Sequence, residues 1–86
     1  MKTSITTSGQ LSPFLKHMRA QQGLSQAALG MKIGLSQERI SRIENHPETV
    51  TLDQILTVLM ALNATLTVEA KPTAGSKKFP NSASEW

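Results

Sequence analysis

The side chains best suited to chemistry lie between Ser25 and Asn45. Gln37, Glu38, Arg39, Ser41 and Arg42 bring an amide, a carboxylate, cations and a hydroxyl into one short stretch. These are the groups that read base edges and hold phosphates: glutamine pairs with adenine, arginine with guanine, and glutamate accepts from cytosine. The same stretch offers little to catalysis. Ser25, Ser36 and Ser41 have no histidine or lysine placed as a base. Glu48 and Asp53 fall on loop or first-turn positions with no cleft to shift their ionisation. There is no cysteine, and the two histidines, His17 and His46, lack a ligand-spaced partner. A standard zinc or iron–sulfur site is therefore excluded, and no catalytic residue, metal or cofactor is expected.

Helical elements must position these groups. Leu11, Phe14, Leu15 and Met18 recur at i, i+3, i+4 and i+7, one face of a first helix that Gly23 stops after Gln22. Its start is open: Ser12 caps it with Pro13 as the first helical residue, or Ser8 caps it with Pro13 in the tolerant first turn. Ser25 caps a second helix, Gln26 to about Lys32, which Gly34 ends in a left-handed conformation. Ser36 caps a third helix, Gln37 to about Asn45, with Glu38 in the first turn, where the helix dipole favours an acid. His46-Pro47-Glu48 reads as a loop. Thr51 and Gln54 match a capping box for a fourth helix, with Leu52, Ile55, Leu56, Leu59 and Met60 at helical spacing and Asn63 as its end.

The second and third helices carry the functional pattern. A helix-turn-helix needs a small residue where its helices cross and a glycine in its turn, supplied by Gly30 and Gly34. Its inner face must be apolar, and Leu29, Ile33, Leu35, Ile40 and Ile43 occupy those offsets. Gln37, Glu38, Arg39, Ser41 and Arg42 are then left outside, facing a major groove. The bland alternative is a plain helical bundle. Glu38 is either a cytosine acceptor or a first-turn acid with no base contact. Phosphate contacts are expected from the amides at the two helix N-termini, with Lys32, Arg39 or Arg42, and from Ser36 and Ser41.

Charge agrees. The net charge is +3 and the pI about 9.7. Residues 1–42 hold six basic groups against one acid, whereas residues 43–86 hold three against five. An electropositive first half suits a polyanion, although ordinary surface charge produces a similar balance. No apolar run approaches the roughly 20 residues that span a bilayer, and the N-terminus lacks the apolar core of a signal peptide, so a cytoplasmic location is expected. At 86 residues the chain has room for one small domain, too small for a deep enzyme cleft, which favours a binding module.

From Thr65 the period changes to two. Leu66, Val68 and Ala70 alternate with Thr65, Thr67 and Glu69, which reads as a strand. A lone strand has two unpaired edges, and the same strand of a second copy would complete it across a dimer axis. The other reading is a frayed extended end. The remainder, 71–86, is rich in Pro, Ser, Ala, Gly and Lys and reads as disordered when free. Phe79 and Trp86 in that tail are either anchors for a partner's pocket or an incidental chain end. The division expected is a flexible N-terminus (1–8), a helix-turn-helix domain (9–64), a dimerisation strand (65–70) and a tail (71–86).

Residues 10–62 resemble the lambda-repressor/Cro-like (XRE) helix-turn-helix family. The resemblance lies in Arg19-Ala20-Gln21-Gln22-Gly23-Leu24-Ser25-Gln26 and Ile40-Ser41-Arg42-Ile43-Glu44-Asn45. The whole chain is similar to the HipB-like antitoxins, through Lys32-Ile33-Gly34-Leu35-Ser36-Gln37, Glu44-Asn45-His46-Pro47, Leu66-Thr67-Val68 and the ending Glu85-Trp86. The resemblance implies a mainly all-α domain of four to five helices with one C-terminal strand pairing across a homodimer. It implies binding of operator DNA, autorepression, and capture of a HipA-like serine/threonine kinase toxin, which would make Phe79 and Trp86 toxin contacts. It implies that Gln26 touches phosphate and braces Gln37, that Gln37 reads a base, and that Glu38, Arg39 and Arg42 set sequence preference. Arg19 and Glu44 match a structural ion pair. Pro13 departs from the family, which keeps a plain helical residue there. A stand-alone repressor without a toxin partner and a protein-only adaptor are the competing readings. Neither a membrane nor a small-molecule substrate is expected as a partner.

Overall fold

The computed structural model describes residues 2–71. Four α-helices make up the body: α1 (Leu11–Gln21), α2 (Gln26–Ile33), α3 (Gln37–Asn45) and α4 (Leu52–Ala61). Short 3-10 turns, Ser8–Gln10 and Pro47–Thr49, lead into α1 and follow α3. The His46-Pro47-Glu48 segment is thus a helical turn rather than an open loop.

Capping fixes the helix starts. The hydroxyls of Ser25, Ser36 and Thr51 accept from the backbone N–H of Ala28 (3.0 Å), Arg39 (3.1 Å) and Gln54 (3.2 Å). Each satisfies one of the donors a helix leaves unpaired at its beginning. The start of α1 follows neither expected cap. The chain enters through the 3-10 turn after Thr7, where the Gln10 side-chain oxygen accepts from the N–H of Thr6 (2.5 Å) and Thr7 (3.2 Å). Pro13 is then the third residue of α1, where its missing N–H breaks no helical bond. These contacts tie residues 6 and 7 to the helical body, inside the stretch expected to be flexible.

Helix ends behave as the glycines require. Gly23 and Gly34 adopt φ of +69° and +75°, and Asn63 takes φ of +60° after α4. Gly30 has a different role. It is buried where α2 crosses the chain entering α3, and a Cβ there would collide with the Leu35 carbonyl oxygen and lie 3.4 Å from Ile40 Cγ1.

The core is one cluster: Leu15, Leu29, Ile40, Ile43, Ile55, Val58, Leu59 and Leu62. Leu35 and Ile33 pack on it half-buried. On α4 the buried face is Ile55, Val58 and Leu59, leaving Leu52, Leu56 and Met60 exposed at 59%, 39% and 69%. The single apolar face expected from 52, 55, 56, 59 and 60 therefore divides into a core face and an exposed stripe. Among the described residues there is no strand. Ala64 still packs on the core, its N–H donating to the Leu59 carbonyl at 2.8 Å, whereas residues 65–71 have no ladder partner among the described residues, and Leu66 and Val68 are exposed.

One charged side chain lies inside. Glu44 on α3 has no exposure, and Arg19 of α1 meets it with Nε to Oε2 at 2.6 Å and Nη2 to Oε1 at 3.2 Å. Arg19 Nη1 also donates to the Leu24 carbonyl at 2.9 Å, so the guanidinium ties α1 to α3 and to the α1–α2 turn. The pair expected from the family resemblance is formed.

Two outcomes are expected in urea denaturation. Gly30→Ala should lose about 1–3 kcal/mol, because backbone carbonyl cannot yield as a flexible side chain does. Arg19→Met should lose about 3–5 kcal/mol by leaving a buried carboxylate without its cation, and Arg19→Met with Glu44→Met should recover part of that loss. A midpoint unchanged by either single substitution would contradict this account of the packing.

Candidate nucleic-acid interface

The helix-turn-helix places two polar surfaces side by side: the N-terminus of α2 and the outer face of α3. Gln26 and Gln37, the first residues of the two helices, meet there. Gln37 Nε2 donates to Gln26 Oε1 at 2.6 Å. Gln26 Nε2 in turn donates to Glu44 Oε1 at 3.1 Å. A continuous hydrogen-bonded chain therefore runs from Arg19 through Glu44 and Gln26 to Gln37, from the interior to an exposed residue.

The outer face of α3 presents Gln37, Glu38, Arg39 and Arg42, all exposed, opposite the buried Ile40, Ile43 and Glu44. Among the described residues neither Arg39 nor Arg42 has a carboxylate within 4 Å, so both guanidiniums keep their donors for an external acceptor. Glu38 sits in the first turn of α3. Its carboxylate is one lining group of a shallow polar groove completed by Ser41, Arg42, Asn45, His46 and Thr49.

The expected phosphate ligands are not all brought together. Gln26 and Ser36 flank the start of α3, and Ser36 Oγ is engaged as its cap. Ser41 is half-buried in the groove, its Oγ accepting from Asn45 Nδ2 at 3.2 Å. Lys32 lies at the far end of α2, where Nζ donates to the Ala61 carbonyl at 3.4 Å, near the C-terminus of α4. A cation there complements the carbonyl end of that helix. It is removed from the Gln26–Gln37 pair.

Asn45, His46 and Thr49 line the groove although the sequence pattern did not single them out as polar surface beside α3. The available signal was the i, i+4 spacing of Ser41 and Asn45, which the Asn45 amide closes by donating to the Ser41 carbonyl at 2.9 Å. His46 stands 3.5 Å from a Glu48 carboxylate oxygen, with both side chains exposed. The described residues contain no group of three or more His, Asp or Glu side chains arranged to hold a metal ion. No helix among them is long and apolar enough to cross a membrane. Phe79 and Trp86 lie outside the described residues, as do Lys77 and Lys78.

Comparison with known proteins agrees with this geometry. A family model described as Helix-turn-helix matches residues 15–68. Antitoxin HipB of Escherichia coli (strain K12) is 32% identical over 77 residues, covering 90% of this chain and 88% of that protein. The solved structure titled "Structure of HipA-HipB-O2-O3 complex" contains a chain that superposes with a TM-score of 0.76 at 32% identity, over 83% of this chain and 100% of that one. A chain of the "HipB-O4 20mer complex" gives 0.74 at 35% identity, over 81% and 100%. With the fold, the capped helix pair and the buried ion pair in place, the chain belongs to the helix-turn-helix family and, within it, to the HipB-like antitoxins.

Proposed function

We propose that this chain is an antitoxin and transcriptional autorepressor. As a homodimer it binds palindromic operator DNA, and it neutralises a HipA-like serine/threonine kinase toxin. The observation that carries the reading is the outer face of α3: exposed amide, carboxylate and guanidiniums, the last without a carboxylate partner among the described residues, on a helix whose opposite side is buried. Similarity to chains solved as HipB–operator and HipA–HipB–operator complexes supports both partners.

In this reading α3 lies in the major groove, with Gln37, Glu38, Arg39 and Arg42 at base edges. Gln26, Ser36, Ser41 and the N-terminal amides of α2 and α3 hold phosphate oxygens. Lys32, bound to Ala61, reaches phosphate only by exchanging that contact. The exposed stripe Leu52, Leu56 and Met60 supports a homodimer. Leu66, Val68 and Ala70 pair with the same segment of the second copy as a two-stranded ribbon. Two α3 helices then address half-sites about 34–36 Å apart, or further in a wide dimer. The domain is residues 9–64, followed by the strand at 65–70 and a tail at 71–86 that presents Phe79 and Trp86 to the toxin. The protein acts by binding, without catalysis, in the cytoplasm and on the nucleoid when bound to its operator.

Co-purification with the product of the adjacent gene, using the full chain and one truncated after Ala70, tests the toxin arm. A stable complex weakened by truncation is expected. A complex that survives truncation would remove the tail contact, and no complex with either form would leave a stand-alone repressor. For the DNA arm, log affinity for the chain's own promoter should fall linearly with log salt, with a slope of about −0.9 per phosphate contacted. Gln37→Ala with Arg42→Ala should weaken that binding about a hundredfold and leave toxin capture unchanged, measured by anisotropy and co-purification. Toxin capture without any salt-dependent DNA affinity in the parent chain would identify a protein-only adaptor.

A further inference from the structure

We propose that Glu44 is a positioning residue for operator reading: its buried carboxylate fixes the orientation of the Gln26 amide, and through it the donor–acceptor pattern that Gln37 presents to a base. The inference rests on the DNA-binding reading above and assigns to the buried ion pair a part in specificity beyond stability.

An ionised carboxylate accepts hydrogen bonds and donates none. Glu44 Oε1 lies 3.1 Å from the side-chain nitrogen of Gln26, and Glu44 has no contact with solvent. Turning the Gln26 amide over would set its oxygen against a carboxylate oxygen that is itself out of reach of solvent, leaving two acceptors face to face. Arg19 donates one hydrogen bond to each oxygen of Glu44, so both oxygens act as acceptors. Gln26 is therefore held with its NH2 inward and its oxygen outward.

The outward oxygen sets the next amide. Gln37 meets Gln26 Oε1 at 2.6 Å, a distance that requires Gln37 to supply the N–H. One N–H of Gln37 is used in this contact. Its oxygen and its second N–H remain, one acceptor and one donor. Adenine presents one acceptor, N7, and one donor, N6–H2, in the major groove, so the remaining pair matches adenine. With Gln26 reversed, Gln37 would turn its oxygen inward and present both N–H groups. Two donors match the N7 and O6 acceptors of guanine. The acceptor oxygens of Glu44 thus select between two purines through two intervening side chains, Gln26 and Gln37.

A structural ion pair alone would affect stability and scale all DNA affinities together. The relay affects the ratio between bases at one position. The test is binding selection from duplexes that carry the chain's own promoter with single positions randomised, for the parent chain, Gln37→Ala, Glu44→Gln and Gln26→Met. The parent should require adenine over guanine by about tenfold or more at one position per half-site, and Gln37→Ala should lose that preference. Glu44→Gln, whose amide accepts either orientation of Gln26, should reduce the adenine-to-guanine ratio at that position about tenfold and leave other positions unchanged. Gln26→Met cuts the relay while leaving both Arg19–Glu44 hydrogen bonds, so it gives the same loss of preference even if Glu44→Gln fails to fold. A uniform fall in affinity from a lost phosphate contact would not alter the ratio. Adenine preference retained in Gln26→Met overturns the inference. So does a parent chain that binds the promoter with no position dependent on Gln37, and the DNA-binding reading then still stands. A parent chain that binds no promoter duplex overturns that reading and the inference with it.

Discussion

A carboxylate with no exposure organises this molecule. Desolvating a lone ionised carboxylate costs several kcal/mol, and the cost is offset only by partners held in good geometry. Glu44 receives them from two other helices: the Arg19 guanidinium from α1 and the Gln26 amide from α2. The surrounding apolar cluster supplies cohesion, which is non-directional. The carboxylate supplies direction. Small rotations of α1 or α2 about α3 would leave Leu15 or Leu29 packed against something apolar but would break short hydrogen bonds to a buried charge.

The α2–α3 corner adds a second constraint of a different kind. Gly30 lets the backbone before α3 approach α2 more closely than any side chain would allow. Gly34 then turns the chain through a left-handed conformation, and Ser36 caps the new helix. The close approach brings the first residue of α2 beside the first residue of α3, and this places Gln26 between Glu44 and Gln37. Backbone packing and charge burial thus converge on the same three side chains. The Gln37 amide at the start of α3 is held in place as a result, at low entropic cost to whatever it binds.

Most of this was legible in the residues, and the remainder was not for identifiable reasons. Caps and turn glycines act through their own backbone, so Ser25, Ser36, Thr51, Gly23 and Gly34 declare themselves locally. Glu44 does not. Glutamate on a helix is ordinarily a surface residue, and only the resemblance to a known family marked it as a partner of Arg19. The Gln26–Gln37 contact was available in the same way, whereas the Gln26–Glu44 link joins positions whose proximity depends on how α2 crosses α3. On α4, apolar residues cover more than one side of a ten-residue helix, so periodicity alone could not separate the face of Ile55, Val58 and Leu59 from that of Leu52, Leu56 and Met60. The start of α1 was misplaced although its determinant, the capping box of Thr7 and Gln10, stands in the sequence: it opens a 3-10 turn ahead of the helix, upstream of the apolar face that marked α1.

The divided surface of α4 connects stability with the proposed assembly. A chain of this size buries only about 60% of its unfolded surface, and this one has no disulfide to compensate. Its core occupies one side of α4 and is complete without Leu52, Leu56 or Met60. Those side chains, with Leu66 and Val68 in the segment that follows, are buried only in part by the monomer and leave apolar area in water. In the proposed assembly a second copy of the chain would remove both defects at once: a helix stripe would meet its equivalent, and an extended segment would acquire a ladder partner. Such an isologous contact would use α4 and the residues after it. It would leave α3 and the N-terminus of α2 outside the interface and repeat them about a two-fold axis, the symmetry a palindromic site presents. The same scarcity of core that makes the monomer marginal would therefore fix the spacing of the two reading helices, coupling dimer stability to operator geometry.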